Sequence, residues 1–185
     1  MSFLFNKYSH FNLANIVTFF NITSGIFAIY FLTHNDFFAA ALFAWMAGAF
    51  DIFDGKIARK FNLSTQFGIQ LDSYADFLSF VIVPAMFIYF AVIDGKEEFL
   101  SMPLVALSFI YYVISGLRRL IQFNLNADEG EVDRYFTGIP TPLGAILLWI
   151  VYLIFLANYV NEYFVLGMMI VIGVLLNSKI KIRHF

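Results

Sequence analysis

Long apolar runs separated by short polar breaks divide the chain into six segments, at about 12–33, 37–59, 68–92, 102–123, 140–159 and 162–178. Each is near the roughly 20 apolar residues that a helix needs to cross a bilayer. The breaks fall at His34-Asn35-Asp36, at 60–67, at Asp94-Gly95-Lys96-Glu97-Glu98, at 124–139 and at Asn158-Tyr159-Val160-Asn161-Glu162. Pro103 and Pro140 stand near segment starts, where proline is tolerated. Pro84 and Pro142 are expected to kink or start their helices, which neighbouring helices can accommodate. Ahead of the first run, Phe3, Leu4, Tyr8 and Phe11 recur at helical spacing among Asn6, Lys7, Ser9 and His10, which predicts a short interfacial helix. The pattern therefore predicts an all-α integral membrane protein with six transmembrane helices.

Composition agrees. Of 185 residues 61% are hydrophobic and 13% charged, and the mean hydropathy is +0.80; soluble domains carry about 25% charged residues. The length suits one membrane-embedded domain over residues 1–185. A net charge of -2 gives no reason to expect a nucleic-acid partner. The absence of cysteine excludes disulfides, a thiolate nucleophile and Cys-ligated zinc. No basic segment precedes an apolar run and cleavage site at the start, so no removable signal peptide is expected. Of the 11 basic residues all but Lys96 fall on one side of the six-segment layout. The positive-inside rule then puts both termini on the cytoplasmic side of the cell membrane.

Four acidic residues interrupt the apolar pattern: Asp51 and Asp54 on the second segment, Asp72 and Asp76 on the third. A carboxylate at bilayer depth costs roughly 2.5–3.5 kcal/mol, so four cost on the order of 10 kcal/mol unless compensated. At ~100° per residue, with Asp51 at zero, Asp54 lies near -60°, Gly55 near +40° and Ala58 near -20°. Gly68, Asp72 and Asp76 share a face of the next helix, antiparallel to the first across a short connection. The expected result is four carboxylates around a hollow floored by Gly55, Ala58 and Gly68. Oxygen-only ligands select hard divalent cations, and two such ions clamp the attacking and leaving oxygens in phosphoryl transfer. Arg59 adds a cation for a phosphate oxygen. The alternative is a salt-bridged rim, with the aspartates paired to Lys56, Arg59 and Lys60.

The arrangement D-x2-D-G-x2-A-R-x8-G-x3-D-x3-D, met by Asp51, Asp54, Gly55, Ala58, Arg59, Gly68, Asp72 and Asp76, resembles the signature of the CDP-alcohol phosphotransferase family. The resemblance implies six membrane helices, a homodimer and two divalent ions, Mg²⁺ or Mn²⁺, with Ca²⁺ inhibitory. It further implies that Asp51, Asp54 and Asp72 hold metal and the CDP diphosphate, and that Asp76 joins the metal site and serves as general base. Gly55, Ala58 and Arg59 then border the CDP-lipid. The reaction expected is attack of an alcohol on the lipid-bearing phosphorus of a CDP-lipid, releasing CMP.

The second half bears on the acceptor. Arg118-Arg119-Leu120-Ile121-Gln122-Phe123-Asn124 and Tyr135-Phe136-Thr137-Gly138-Ile139-Pro140-Thr141-Pro142 are similar to the phosphatidylserine synthase branch, although Gln122 stands where that branch often has arginine. The resemblance implies L-serine as acceptor and CDP-diacylglycerol or CDP-archaeol as donor. Arg118, Arg119 and Asn124 are then candidates for binding serine or phosphate; the alternative for the arginines is positive-inside anchoring. Loop 124–139, with Asp128, Glu129, Glu131, Asp133 and Arg134, reads as a solvated charged loop, and Gly138 and Pro140 as shaping its return. Asn15 and Thr18 share a helix face and are left open between contacting cytidine and bonding a neighbouring helix. None of His10, His34 and His184 has a partner at metal-ligand spacing. Two other readings remain: the same chemistry with glycerol 3-phosphate or inositol phosphate, and a divalent-cation transporter.

Overall fold

The computed structural model describes residues 3–94, 101–128, 135–178 and 181–183. Lys96, Glu97, Glu98, Glu129, Glu131, Asp133, Arg134, Lys179 and His184, which entered the topology, loop and histidine readings, lie outside them. Six helices carry the apolar runs: α1 (Leu13–Thr33), α2 (Phe37–Lys60), α3 (Gln66–Ile93), α4 (Met102–Asp128), α5 (Thr141–Leu156) and α6 (Glu162–Leu176). Short strands β1 (Tyr135–Thr137) and β2 (Lys181–Arg183) pair antiparallel, with Phe136 opposite Ile182.

The helix starts follow side-chain chemistry. Asn12, Asp36, Thr65 and Asn161 each accept a hydrogen bond at 3.0 Å from the backbone N–H three residues on, which caps α1, α2, α3 and α6. The connections bend at Asn35, Asn62 and Asn158, all at positive φ, a conformation asparagine tolerates better than most residues.

Three expectations change. Residues 3–11 form turns rather than an interfacial helix. Asn6 Oδ1 accepts from the Tyr8 N–H at 3.0 Å and Ser9 Oγ from the Phe11 N–H at 3.2 Å, local bonds that compete with helical pairing. Secondly, α4 runs on to Asp128, into the stretch read as loop. Thirdly, α1, α2, α3 and the Met102–Leu125 part of α4 are long and apolar enough to cross a membrane, whereas α5 and α6 have 16 and 15 residues. At ~1.5 Å per residue those two fall short of the ~30 Å hydrocarbon core.

The chain forms two compact units, Met1–Ser79 and Phe80–Phe185, with the boundary inside α3. In the first, α1 buries its polar face: Asn12, Asn15, Thr18, Asn21 and Ser24 are inside, while Phe20, Ile26, Phe27 and Tyr30 are exposed. A soluble helix does the reverse; helices in lipid put polar groups inward. Phe27 and Phe31 pack on Phe43 of α2 at 5.2 and 5.3 Å between ring centroids.

In the second unit, α3 passes through π-helical turns at Phe77–Ile82 and Tyr89–Ile93 around Pro84, the first of them beginning in the other unit. Proline cannot donate to the carbonyl four residues back, that of Phe80. The Tyr112 hydroxyl of α4 donates to that carbonyl at 3.2 Å. Neighbouring-helix accommodation of Pro84 thus has a named partner. Pro142 stands at the start of α5. At the return of the chain before α5, Gly138 has φ +85° and a Cβ there would lie 2.5 Å from the Leu176 carbonyl oxygen, so only glycine fits.

Candidate active site

The second and third helices bring three of the four aspartates together. One carboxylate oxygen from each of Asp51, Asp72 and Asp76 lies within 4.8 Å of the others. Asp54 stands apart from this group. With Asp72 it lines an open hollow in the first unit. The hollow is bordered by Ala14, Asn15 and Thr18 of α1, by Gly55, Ala58 and Arg59 of α2, by Leu63, Ser64 and Thr65, and by Gly68 and Ile69 of α3. Asp72 therefore belongs both to the carboxylate group and to the wall of the hollow.

The small residues sit where helical phasing puts them. A Cβ on Gly68 would come 2.9 Å from Asn15 Oδ1 and 3.3 Å from Thr65 Oγ1. Gly55 lies under Arg59, whose Nη1 would be 3.7 Å from a Cβ there, so the exposed guanidinium folds back along α2 into the hollow. Asn15 and Thr18 both line the hollow, while the Asn15 amide also donates to the His10 carbonyl at 3.0 Å.

The salt-bridged rim does not appear among the described residues. None of Lys56, Arg59 and Lys60 is ion-paired with these aspartates; Lys60 instead lies over the Phe61 ring at 5.6 Å. Asp76 Oδ1 and Asp54 Oδ2 are buried with no hydrogen-bond partner. Buried carboxylate oxygens are seldom left so. An all-oxygen set with uncompensated charge fits a hard divalent cation.

The tentative acceptor residues lie in the second unit. Arg119 is 5% exposed, and its Nε donates to the Ile139 carbonyl at 3.1 Å. Arg118 is exposed on the adjacent position and Asn124 is half-buried.

Leu63, Ser64 and Thr65 were not anticipated as lining, although threonine directly before an apolar-periodic run is a helix-start signal. Also missed was Asn21, fully buried, whose Oδ1 accepts a hydrogen bond from Ser79 Oγ. Its signal was available: Asn15, Thr18 and Asn21 recur every three residues along α1.

Helices long and apolar enough to cross a membrane, carrying three clustered carboxylates beside a small-residue hollow, define a membrane protein with a candidate divalent-cation site. Residues 11–177 match the family model described as CDP-alcohol phosphatidyltransferase, and the chain belongs to that family. It is 32% identical over 177 residues to the CDP-diacylglycerol–serine O-phosphatidyltransferase of Helicobacter pylori strain J99, covering 92% of this chain and 71% of the relative. The enzyme of the same name from Bacillus subtilis strain 168 is 31% identical over 170 residues, covering 92% and 89%. The archaetidylserine synthase of Methanothermobacter thermautotrophicus is 31% identical over 171 residues, covering 91% and 68%.

Proposed function

We propose that this protein transfers the phosphatidyl, or archaetidyl, group of a CDP-lipid to the hydroxyl of L-serine and releases CMP. The serine oxygen attacks the lipid-bearing phosphorus as the bond from that phosphorus to the CMP oxygen breaks. The hydroxyl proton passes to Asp76. The observation that carries this reading is the approach of Asp51, Asp72 and Asp76 within 4.8 Å, beside a hollow whose floor has no bulky side chain. The names of relatives at about this identity from bacteria and an archaeon support serine as the acceptor.

Asp51, Asp54, Asp72 and Asp76 would hold two divalent ions, Mg²⁺ or Mn²⁺. When bound, such ions polarise the phosphoryl oxygens and offset charge on the departing nucleotide. The chain's own groups do the rest. Gly55, Ala58 and Gly68 let the nucleotide end approach the backbone, and Arg59 offers a donor fork to a diphosphate oxygen. Thr18 and Asn15 present a hydroxyl and an amide on the opposite wall. Arg118, Arg119 and Asn124 supply charge and an amide for the acceptor's carboxylate. The distribution of basic residues supports a cytoplasmic site, and the protein is taken as one six-helix membrane domain that works as a homodimer.

The test is CMP release by the purified protein with CDP-diacylglycerol and Mn²⁺, offered serine, glycerol 3-phosphate or inositol phosphate in turn. Release that rises only with serine is the expected outcome. Release independent of serine, or driven equally by another acceptor, contradicts the reading.

A further inference from the structure

The α1–α3 seam holds a second polar pair, one turn beyond Asp76, that the phosphoryl-transfer reading does not use. Asn21 is 0% exposed and Ser79 is 4% exposed. Ser79 Oγ donates to Asn21 Oδ1, which leaves the Asn21 Nδ2 donor buried and without a partner among the described residues. Burying an amide half-satisfied is costly, and leucine would fill such a place more cheaply. On the same seam Asp76 Oδ1 is a buried acceptor likewise without a partner.

The local backbone adds a reason for the pair. Directly after Asp76 the helix widens into the π-helical turn Phe77–Ile82, and Ser79 lies inside it. Isolated π turns inside α-helices collect at functional sites. Where the widened turn begins fixes the azimuth of the preceding side chain, because a slip of one residue rotates it by ~100°. Asp76 immediately precedes the widened turn and Ser79 lies within it, three residues on, so a bond that holds Ser79 holds the turn next to Asp76. On α1, Thr18 and Asn21 have the same spacing, with Thr18 on the wall of the hollow.

We propose that Asn21 is a positioning residue for Asp76: through Ser79 it pins the π turn, and it presents its Nδ2 donor along the seam toward the level of the Asp76 carboxyl. This rests on the assignment of Asp76 as the base. Asn21 touches neither donor nor acceptor in this role, so its loss slows the reaction without weakening substrate binding.

The experiment measures kcat and KM for both substrates with the full chain in mixed micelles of CDP-diacylglycerol, serine and Mn²⁺. Asn21→Leu and Ser79→Ala are each expected to lower kcat by about tenfold or more, the scale of a small misplacement of a reacting group, with both KM values held within about twofold. Ser79→Thr, which keeps the hydroxyl, restores most of the rate. The double variant Asn21→Leu/Ser79→Ala falls no further than the worse single one, since both break the same link. Wild-type kcat in Ser79→Ala, which removes one oxygen and is the milder change should Asn21→Leu fail to fold, overturns the proposal. So does a loss confined to KM. Asp76→Asn in the same assay separates the two claims. Full activity there removes the base assignment, while an inactive Asp76→Asn beside a fully active Ser79→Ala removes only the role of Asn21.

Discussion

The two units treat their buried polar groups differently. In Phe80–Phe185 most of them are structural and matched: Tyr112 donates to the carbonyl that Pro84 cannot serve, Arg119 to the carbonyl of Ile139, and the Asn177 amide to the carbonyls of Ser115 and Gly173. Among the described residues of that unit, the Asn177 oxygen is left without a partner. In Met1–Ser79, among the described residues, one buried atom each of Asp54, Asp76 and Asn21 is left without a partner, around one hollow and one seam. An unmatched amide oxygen is a small cost, whereas unmatched buried carboxylates are a large one, tolerated where a ligand compensates it. The described polar contacts of the second unit tie its elements together, whereas the open carboxylate oxygens of the first fit the proposed metal.

The largest expected effect falls on the base. Asp76→Asn should cut serine-dependent CMP release by about 10²–10⁴-fold, the usual range for removing a positioned base. The same change should leave the metal-free protein at least as stable as the wild type, because crowding of the Asp51, Asp72 and Asp76 carboxylates is relieved; thermal unfolding in detergent with chelator reads this. A lowered midpoint would show that Asp76 is a structural residue like those of the other unit.

A smaller effect is expected at Gly68. Alanine there meets Asn15 Oδ1 at 2.9 Å and Thr65 Oγ1 at 3.3 Å, so the wall of the hollow must move. KM for the CDP-lipid should rise by about tenfold, equivalent to ~1.4 kcal/mol, with KM for serine unchanged. Equal rises in both would separate the hollow from the nucleotide. The smallest effect belongs to the second unit: Tyr112→Phe should cost about 1 kcal/mol of stability through the Phe80 carbonyl and leave kcat unaltered. A Tyr112→Phe protein with normal stability and reduced turnover would erase the contrast between the units.

Much of this was legible in the pattern of residues. The six apolar runs became six helices with ends within a few residues, except where α4 continues to Asp128. Phasing at ~100° per residue placed Gly55, Ala58 and Gly68 on the hollow, but it also put Asp54 among four converging carboxylates, whereas the close group holds only Asp51, Asp72 and Asp76. What escaped has physical causes. The amphipathic spacing of residues 3–11 suggested a helix, but Asn6 and Ser9 bond their own backbone and turn the chain instead. The π turns of α3 break the 3.6-residue period that the reading relied on, so the register after Asp76, and with it the Asn21–Ser79 link, could not be extrapolated. Asn21 was not read at all, although it repeats the three-residue spacing of Asn15 and Thr18. Helix lengths were overestimated at the ends of α5 and α6, where the chain turns at Asn158 after one and at the C-cap Asn177 after the other.

The central claim is that the uncompensated carboxylates of the first unit are completed by divalent metal and then carry out phosphoryl transfer. Serine-dependent CMP release before and after exhaustive chelation tests it most directly. The account predicts that release vanishes with EDTA, returns on adding Mn²⁺ or Mg²⁺ to wild-type protein, and does not return in Asp72→Asn. Undiminished release in EDTA, or full metal rescue of Asp72→Asn, would contradict it.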